Sequence, residues 1–165
     1  MSSTITQKII VYSDSRRIDF KTTADWQEHH VLLKAVFPTT IHSQNASYEI
    51  QFGNVERPTH ENTSWDKAKF EVCAQKWADL SEEGYGISVL NNCKYGHSTA
   101  GSEMTLTLIK CGQYPNPYAD IGFHEFTYSI YPHRDGFRQG GTINEAYKLN
   151  RPLEITKASG KGTLP

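Results

Sequence analysis

Hydrophobic and polar positions along this chain alternate with a period of two far more often than with the helical period. Met104 to Ile109 is the sharpest case: Met104, Leu106 and Leu108 point one way and Thr105 and Thr107 the other. Arg17 to Thr22 sets Ile18 and Phe20 against Arg17, Asp19 and Lys21, and Tyr48 to Phe52 alternates until Gly53 stops it. Lys8–Tyr12, Lys69–Cys73, Gly86–Leu90 and Phe123–Tyr131 extend the set. Val31–Phe37 is a more continuous apolar run, suited to a strand buried between two layers, and Pro38 ends it. Thr142–Leu149 alone has helix-forming residues in number. About eight or nine strands separated by Gly, Pro, Asn and Asp turns predict an all-β, antiparallel sandwich. Its core faces are expected to carry Ile18, Phe20, Leu33, Ile50, Phe70, Val72, Leu106, Leu108, Phe126 and Tyr128.

Composition narrows the function classes. At 165 residues the chain is read as one domain over 1–165, large enough for a core of its own. A net charge of −1 gives no electrostatic case for nucleic acid or an anionic membrane. No apolar run approaches the roughly 18 residues of a membrane span. The start, MSSTITQKII, lacks the features of a secretory signal. The three cysteines, Cys73, Cys93 and Cys111, are widely spaced and read as reduced thiols acting mostly as small buried hydrophobes, which suits a cytoplasmic protein.

Three blocks carry the most information: ERPTHENTSWDKAKFEV from Glu56, KWADLSEEGYGISVLNNCKYG from Lys76 and PNPYADIGFHEFTYSIYPH ending at His133. In this order they resemble the C-terminal β-domain of family 38 glycoside hydrolases, the α-mannosidases, and most of all the bacterial and cytosolic/vacuolar branch. RRIDFKTTADWQEHHVLLKAVFP (Arg16–Pro38) and YEIQFG (Tyr48–Gly53) fit the same domain, so the resemblance covers about Ile9 to Leu153. It implies a supersandwich-like, galactose-mutarotase-like β-domain, here an incomplete piece of a larger one. It also implies a retaining, zinc-assisted α-mannosidase as the parent. Its nucleophile and zinc ligands belong to an N-terminal α/β domain, followed by a helical bundle. No position here matches those motifs, so no catalytic residue and no metal ligand is assigned. The partners implied are an α-mannoside oligosaccharide and the catalytic and helical domains. GKGTLP (Gly160–Pro165) reads as the lead-in to a further β segment, as in a piece of a longer protein or the product of a broken frame.

Loops are where such scaffolds carry chemistry. Asn91–Gly96 follows a buried strand and ends at a glycine, so it is expected to project as a tight turn. The resemblance places it near the sugar-binding cleft, where Asn92, Lys94 and Tyr95 are the candidate substrate-binding residues. The family pattern has Asp where Asn92 stands, so no carboxylate role is open there. A turn that packs domain against domain is the simpler alternative. Residues 53–68 read as a long polar loop. Arg57, Trp65 and its carboxylates suit sugar recognition, but a simpler reading is preferred: Arg57 paired with Asp66, and Trp65 plugging the sandwich end. Asp79 reads as a turn-former bonding its own backbone, and Trp77 as core.

Neither metal nor hydrolytic chemistry is suggested by the residues themselves. Adjacent His29 and His30 are expected to point to opposite faces of a strand. His124–Glu125 lacks the second histidine of a zinc-protease helix. Glycoside hydrolysis needs two carboxyl groups, roughly 5–5.5 Å apart in a retaining enzyme. The pairs available (Glu56 with Glu61 or Asp66; Glu82 with Glu83) are ordinary surface acids. Two functions remain open: the C-terminal domain of an α-mannosidase, and a free-standing carbohydrate-binding sandwich without hydrolytic activity.

Overall fold

The computed structural model describes residues 2–155 and Lys157. The Gly160–Pro165 segment therefore lies outside the described residues. Eleven strands and three short helices follow one another as β1 (Thr4–Val11), β2 (Ile18–Trp26), β3 (Leu33–Pro38), β4 (Asn45–Ile50), β5 (Gly53–Pro58), α1 (Ser64–Lys67), β6 (Val72–Cys73), β7 (Trp77–Glu82), β8 (Tyr85–Asn91), β9 (Gly96–Ala100), β10 (Glu103–Ile109), β11 (Gly122–His133), α2 (Phe137–Gly140) and α3 (Thr142–Asn150). Seven strands form one sheet in the order β1-β2-β11-β8-β7-β4-β5, and four form the other, β3-β10-β9-β6. Every pairing between them is antiparallel. The expected antiparallel sandwich is the observed fold.

The main core lies between the sheets. Met104, Leu106 and Leu108 of β10 meet Ala24, Trp26, Tyr48, Leu80, Val89, Phe126 and Tyr128 of the large sheet. Phe20 stacks on Tyr128 at 5.0 Å, and Phe37 of β3 closes the group edge-on at 6.1 Å. Three expected core members lie elsewhere, the first being Ile18, which is half-buried and joins neither apolar cluster. Ile50 ends its strand and is 36% exposed, and Phe70 precedes the two-residue β6 and is 74% exposed. The alternation around Lys69–Cys73 survives as a strand only at Val72–Cys73.

The large sheet is covered on its outer face too, by α2 and α3. Trp77, Leu90, Tyr131 and Ala146 form a second apolar cluster there, with Phe137 and Leu149 packed against it. This cover explains why polar side chains on that face are buried. Asp19, on the face opposite Phe20 as the alternation requires, is buried and accepts hydrogen bonds from Arg17 Nε (2.8 Å), Ser129 Oγ (2.6 Å) and Tyr12 OH (2.7 Å). Burial opposes its ionisation, yet the bonds from Arg17, Ser129 and Tyr12 win and hold the carboxyl below its ordinary range. Asp79 is likewise no turn-former. It sits within β7 and accepts from His133 Nε2 and Ser88 Oγ, each at 2.7 Å, and from Ser81 Oγ. Ser88 Oγ also meets Thr142 Oγ1 at 2.5 Å, which ties α3 to the sheet. The His133 ring occupies a slot between two glycines. A Cβ on Gly86 would lie 2.3 Å from His133 Cε1, and one on Gly140 2.4 Å from His133 Nδ1.

The β1 side is open. The large sheet overhangs the small one, leaving Ile5, Ile9 and Val11 of β1 at 46%, 63% and 70% exposure. β1 and β3 are both edge strands. Leu106→Ala is expected to cost about 2–5 kcal/mol, against roughly 1 kcal/mol for Thr107→Ala, whose hydroxyl donates to Glu71 Oε2, in urea titrations of both variants. The uncovered β1 edge is expected to make the isolated chain self-associate, and Ile9→Lys to reduce this in light scattering.

Candidate functional site

The Asn91–Gly96 loop is fixed by the buried residues at its two ends. Asn91 Nδ2 donates to the Gln75 carbonyl (2.8 Å) and lies 3.3 Å from His97 Nε2, while Asn91 Oδ1 accepts the Lys94 N–H (2.8 Å). At the far end of the domain's sequence, Asn150 Nδ2 donates to the Asn91 carbonyl at 2.9 Å. His97 is fully buried, and an amide N–H facing Nε2 requires that nitrogen to be an unprotonated acceptor. Burial, only weakly opposed by the Glu71 charge, lowers the imidazole pKa to about 4.

The three candidate residues go to two places. Asn92 and Tyr95 line a cleft of about 380 Å³ together with Cys73, Gln75, Lys76, Asn91 and Asn150. Asn92 Oδ1 accepts the Thr127 N–H at 3.0 Å, so its NH2 is the edge left to donate. Tyr95 is 54% exposed. Lys94 is not grouped with them: its ammonium stands 4.4 Å above the Phe126 ring, a cation–π contact that braces the loop. Through Gln75 and Lys76 the cleft adjoins a depression of about 480 Å³ lined by Glu49, Phe52, Trp77, Phe137 and Tyr147 among others. Lys76 Nζ pairs with Glu49 Oε1 at 2.8 Å and sits 4.8 Å over the Tyr147 ring. Gln75, Lys76 and Asn150 were not singled out from sequence. Asn150 comes from α3, 58 positions after Asn92, a proximity that only the chain's topology creates.

Amides, a phenol and a neutralised ammonium are suited to hydroxyl-rich ligands. They cannot hydrolyse a glycoside. Glu49 is the one carboxylate in the lining of the two depressions, and it is already held by Lys76. Ser88, His133 and Asp79 have the residue types of a nucleophilic triad, but all three are buried, and serine and aspartate both meet the same ring nitrogen. They are structural. No group of three His, Cys, Asp or Glu able to hold a metal occurs among the described residues.

Several other expectations are corrected by the geometry. His29 and His30 lie in a bend rather than a strand, and His30 has φ 58°. Cys73 and Cys93 are exposed, and Cys111 alone is buried. The 53–68 stretch is not one loop, since Gly53–Pro58 is the edge strand β5. Trp65 is 79% exposed and plugs nothing. Asp66 is not Arg57's partner. It closes a capping box with Thr63 at α1, accepting from Thr63 N (3.1 Å) and Thr63 Oγ1 (2.7 Å).

A model of the "Glycosyl hydrolases family 38 C-terminal domain" matches residues 1–118. The chain is 49% identical over 156 residues to "Alpha-mannosidase G" of Dictyostelium discoideum, covering 94% of this chain and 14% of that protein. It is 45% identical over 159 residues to "Alpha-mannosidase 2C1" of Mus musculus (96% of this chain, 15% of that protein). It is 49% identical over 135 residues to the "Alpha-mannosidase" of Saccharomyces cerevisiae (81% and 12%). The chain thus spans about one seventh of the length of the first two relatives. The solved structure of an alpha-mannosidase from Enterococcus faecalis V583 superposes with a TM-score of 0.84 at 22% identity, over 97% of this chain and 19% of that one, a likeness of fold.

Because His97 is neutral when folded and protonates near its ordinary 6.5 when unfolded, the unfolded state binds more protons between about pH 6.5 and 4. Stability is therefore full above pH 6.5 and is expected to fall by about 3 kcal/mol as pH drops through that window. Urea midpoints at pH 7 and pH 4.5 measure it. His97→Gln is expected to flatten the difference.

Proposed function

The chain belongs to glycosyl hydrolase family 38 as its C-terminal domain, and on that premise we propose that it serves a retaining α-mannosidase that removes terminal α-mannosides from oligosaccharides. The observation that carries this reading is the Asn92–Tyr95 cleft, a fixed rim of amides and a phenol beside the ion-paired Lys76, with no carboxylate pair of its own. Asn92 donates from its NH2 and Tyr95 from its phenol to sugar hydroxyls. Lys94 acts through the loop, by pinning it to Phe126. An aspartate in place of Asn92 would accept the same Thr127 N–H but leave an acceptor facing the cleft. The asparagine therefore reverses the polarity offered to the sugar.

In this reading the nucleophile, the acid and the zinc belong to an N-terminal catalytic domain. Zinc bound there supplies Lewis-acid chemistry, and none of it is routed through this chain. The catalytic and helical domains are its partners, and the enzyme is cytoplasmic. A free-standing lectin-like role is not favoured, since the relatives at 45–49% identity carry α-mannosidase names.

The isolated chain is expected to show no turnover of an aryl α-mannoside, with or without zinc. Supplied to a family 38 enzyme from which the corresponding segment has been removed, it is expected to restore turnover. In that setting Asn92→Ala and Tyr95→Phe are each expected to raise KM about tenfold, roughly 1.4 kcal/mol. Hydrolysis by the chain alone that survives purification and is lost on changing one of its carboxylates would refute this assignment.

A further inference from the structure

Arg57 is out of keeping with its surroundings. It is half-buried on β5, and its Nε is buried without a hydrogen-bond partner. Among the described residues the side chain forms no ion pair, and the ring its guanidinium faces is that of Tyr48, 6.0 Å from the guanidinium carbon. A guanidinium brings five fixed N–H donors and a permanent charge; here the Nε–H is the donor left unmet away from water, which is costly. The carboxylates in reach of the same space do not answer it: Asp66 is committed to the Thr63 box, and Glu61 is exposed.

Arg57 lines a recess of about 230 Å³, separate from the Asn92–Tyr95 cleft and bounded by Tyr48, Glu61, Lys69 and Phe70 among others. Phe70 is 74% exposed although strand alternation marks it for the core, so an apolar ring stands at the rim with nothing packed over most of it. Lys69 adds a second cation, and Glu61 an acceptor with no hydrogen bond among the described residues. Together these make a fork for a carboxylate, an aromatic face for a pyranose ring and an acceptor for its hydroxyls. The volume is on the scale of one sugar ring, well below the roughly 300–1,000 Å³ of drug-sized pockets. We propose that this recess binds a single sugar acid of the hexuronate type, its carboxylate on Arg57, its ring against Phe70 and its hydroxyls toward Glu61. This does not rest on the α-mannosidase reading.

The test is nuclear magnetic resonance on the intact ¹⁵N-labelled chain, following the Arg57 Nε–Hε and backbone signals during titration with glucuronate, glucose or inorganic phosphate. Glucuronate is expected to bind in the millimolar range, shifting Arg57, Phe70 and Glu61 signals. Glucose and phosphate, each lacking one half of the recognised chemistry, are expected to bind at least fivefold more weakly. Arg57→Gln is expected to weaken glucuronate at least tenfold and Phe70→Ala about fivefold. Phe70 is exposed, so its variant keeps the fold, and unchanged backbone signals away from the recess verify this for both. Glucuronate failing to shift Arg57, surviving Arg57→Gln unchanged, or being matched by glucose or phosphate would overturn the proposal.

Discussion

A buried amide at the end of β8, Asn91, joins parts of this domain that the chain connects only over long distances. Its backbone carbonyl holds the end of α3, its side-chain NH2 reaches the segment before β7 and the imidazole in the opposite sheet, and its Oδ1 receives the Lys94 N–H within the turning loop. An amide has one acceptor oxygen and two donor hydrogens, so each of its groups has a separate task. The loop's shape follows from that arrangement, and so does the placement of Asn92 and Tyr95 on one wall. An apolar residue of similar volume would fill the space without orienting any of these segments.

The two faces of the large sheet are stabilised by different means. Between the sheets, aromatic and aliphatic packing dominates, and geometry follows from shape. Under α2 and α3, polar side chains alternate with Trp77, Leu90 and Tyr131, and the aspartates are satisfied by several donors each. A buried carboxylate with this many donors sets position more strictly than an apolar contact does, because displacement strips it of all of them together. The helical cover is thereby held in one register on a sheet whose opposite edge is bare.

Period-two alternation made the sandwich readable, and β10 shows why: solvent and core lie on its two sides as the pattern requires. Where the outer face is covered, the same rule misleads. β7 reads Trp-Ala-Asp-Leu with all four residues buried, and a buried aspartate looks like a turn until His133, 54 positions away, is brought against it. β5 carries glycine, asparagine and proline because it is an edge strand, and such composition reads as loop. The expected site loop was legible because its polar residues follow a strongly apolar strand. Lys94's turn toward Phe126, and the contributions of Lys76 and Asn150, depend on packing that no local pattern encodes.

The slot that holds His133 also bears on how the sequence can vary. Gly86 and Gly140 are 54 positions apart, yet each keeps clear the space that one imidazole ring fills. Their tolerance to change is therefore epistatic. A side chain at either glycine conflicts with the histidine, and shrinking residue 133 alone does not clear the way: a Cβ on Gly86 would still lie 2.9 Å from the Asp135 carbonyl oxygen and one on Gly140 2.8 Å from the Cβ at 133, while Asp79 would lose a donor. Viable routes through sequence space would have to shift the backbone around the slot as well as change the histidine and the aspartate. Drift at these four positions is thus expected to be rare and correlated, though none of them lines the Asn92–Tyr95 cleft.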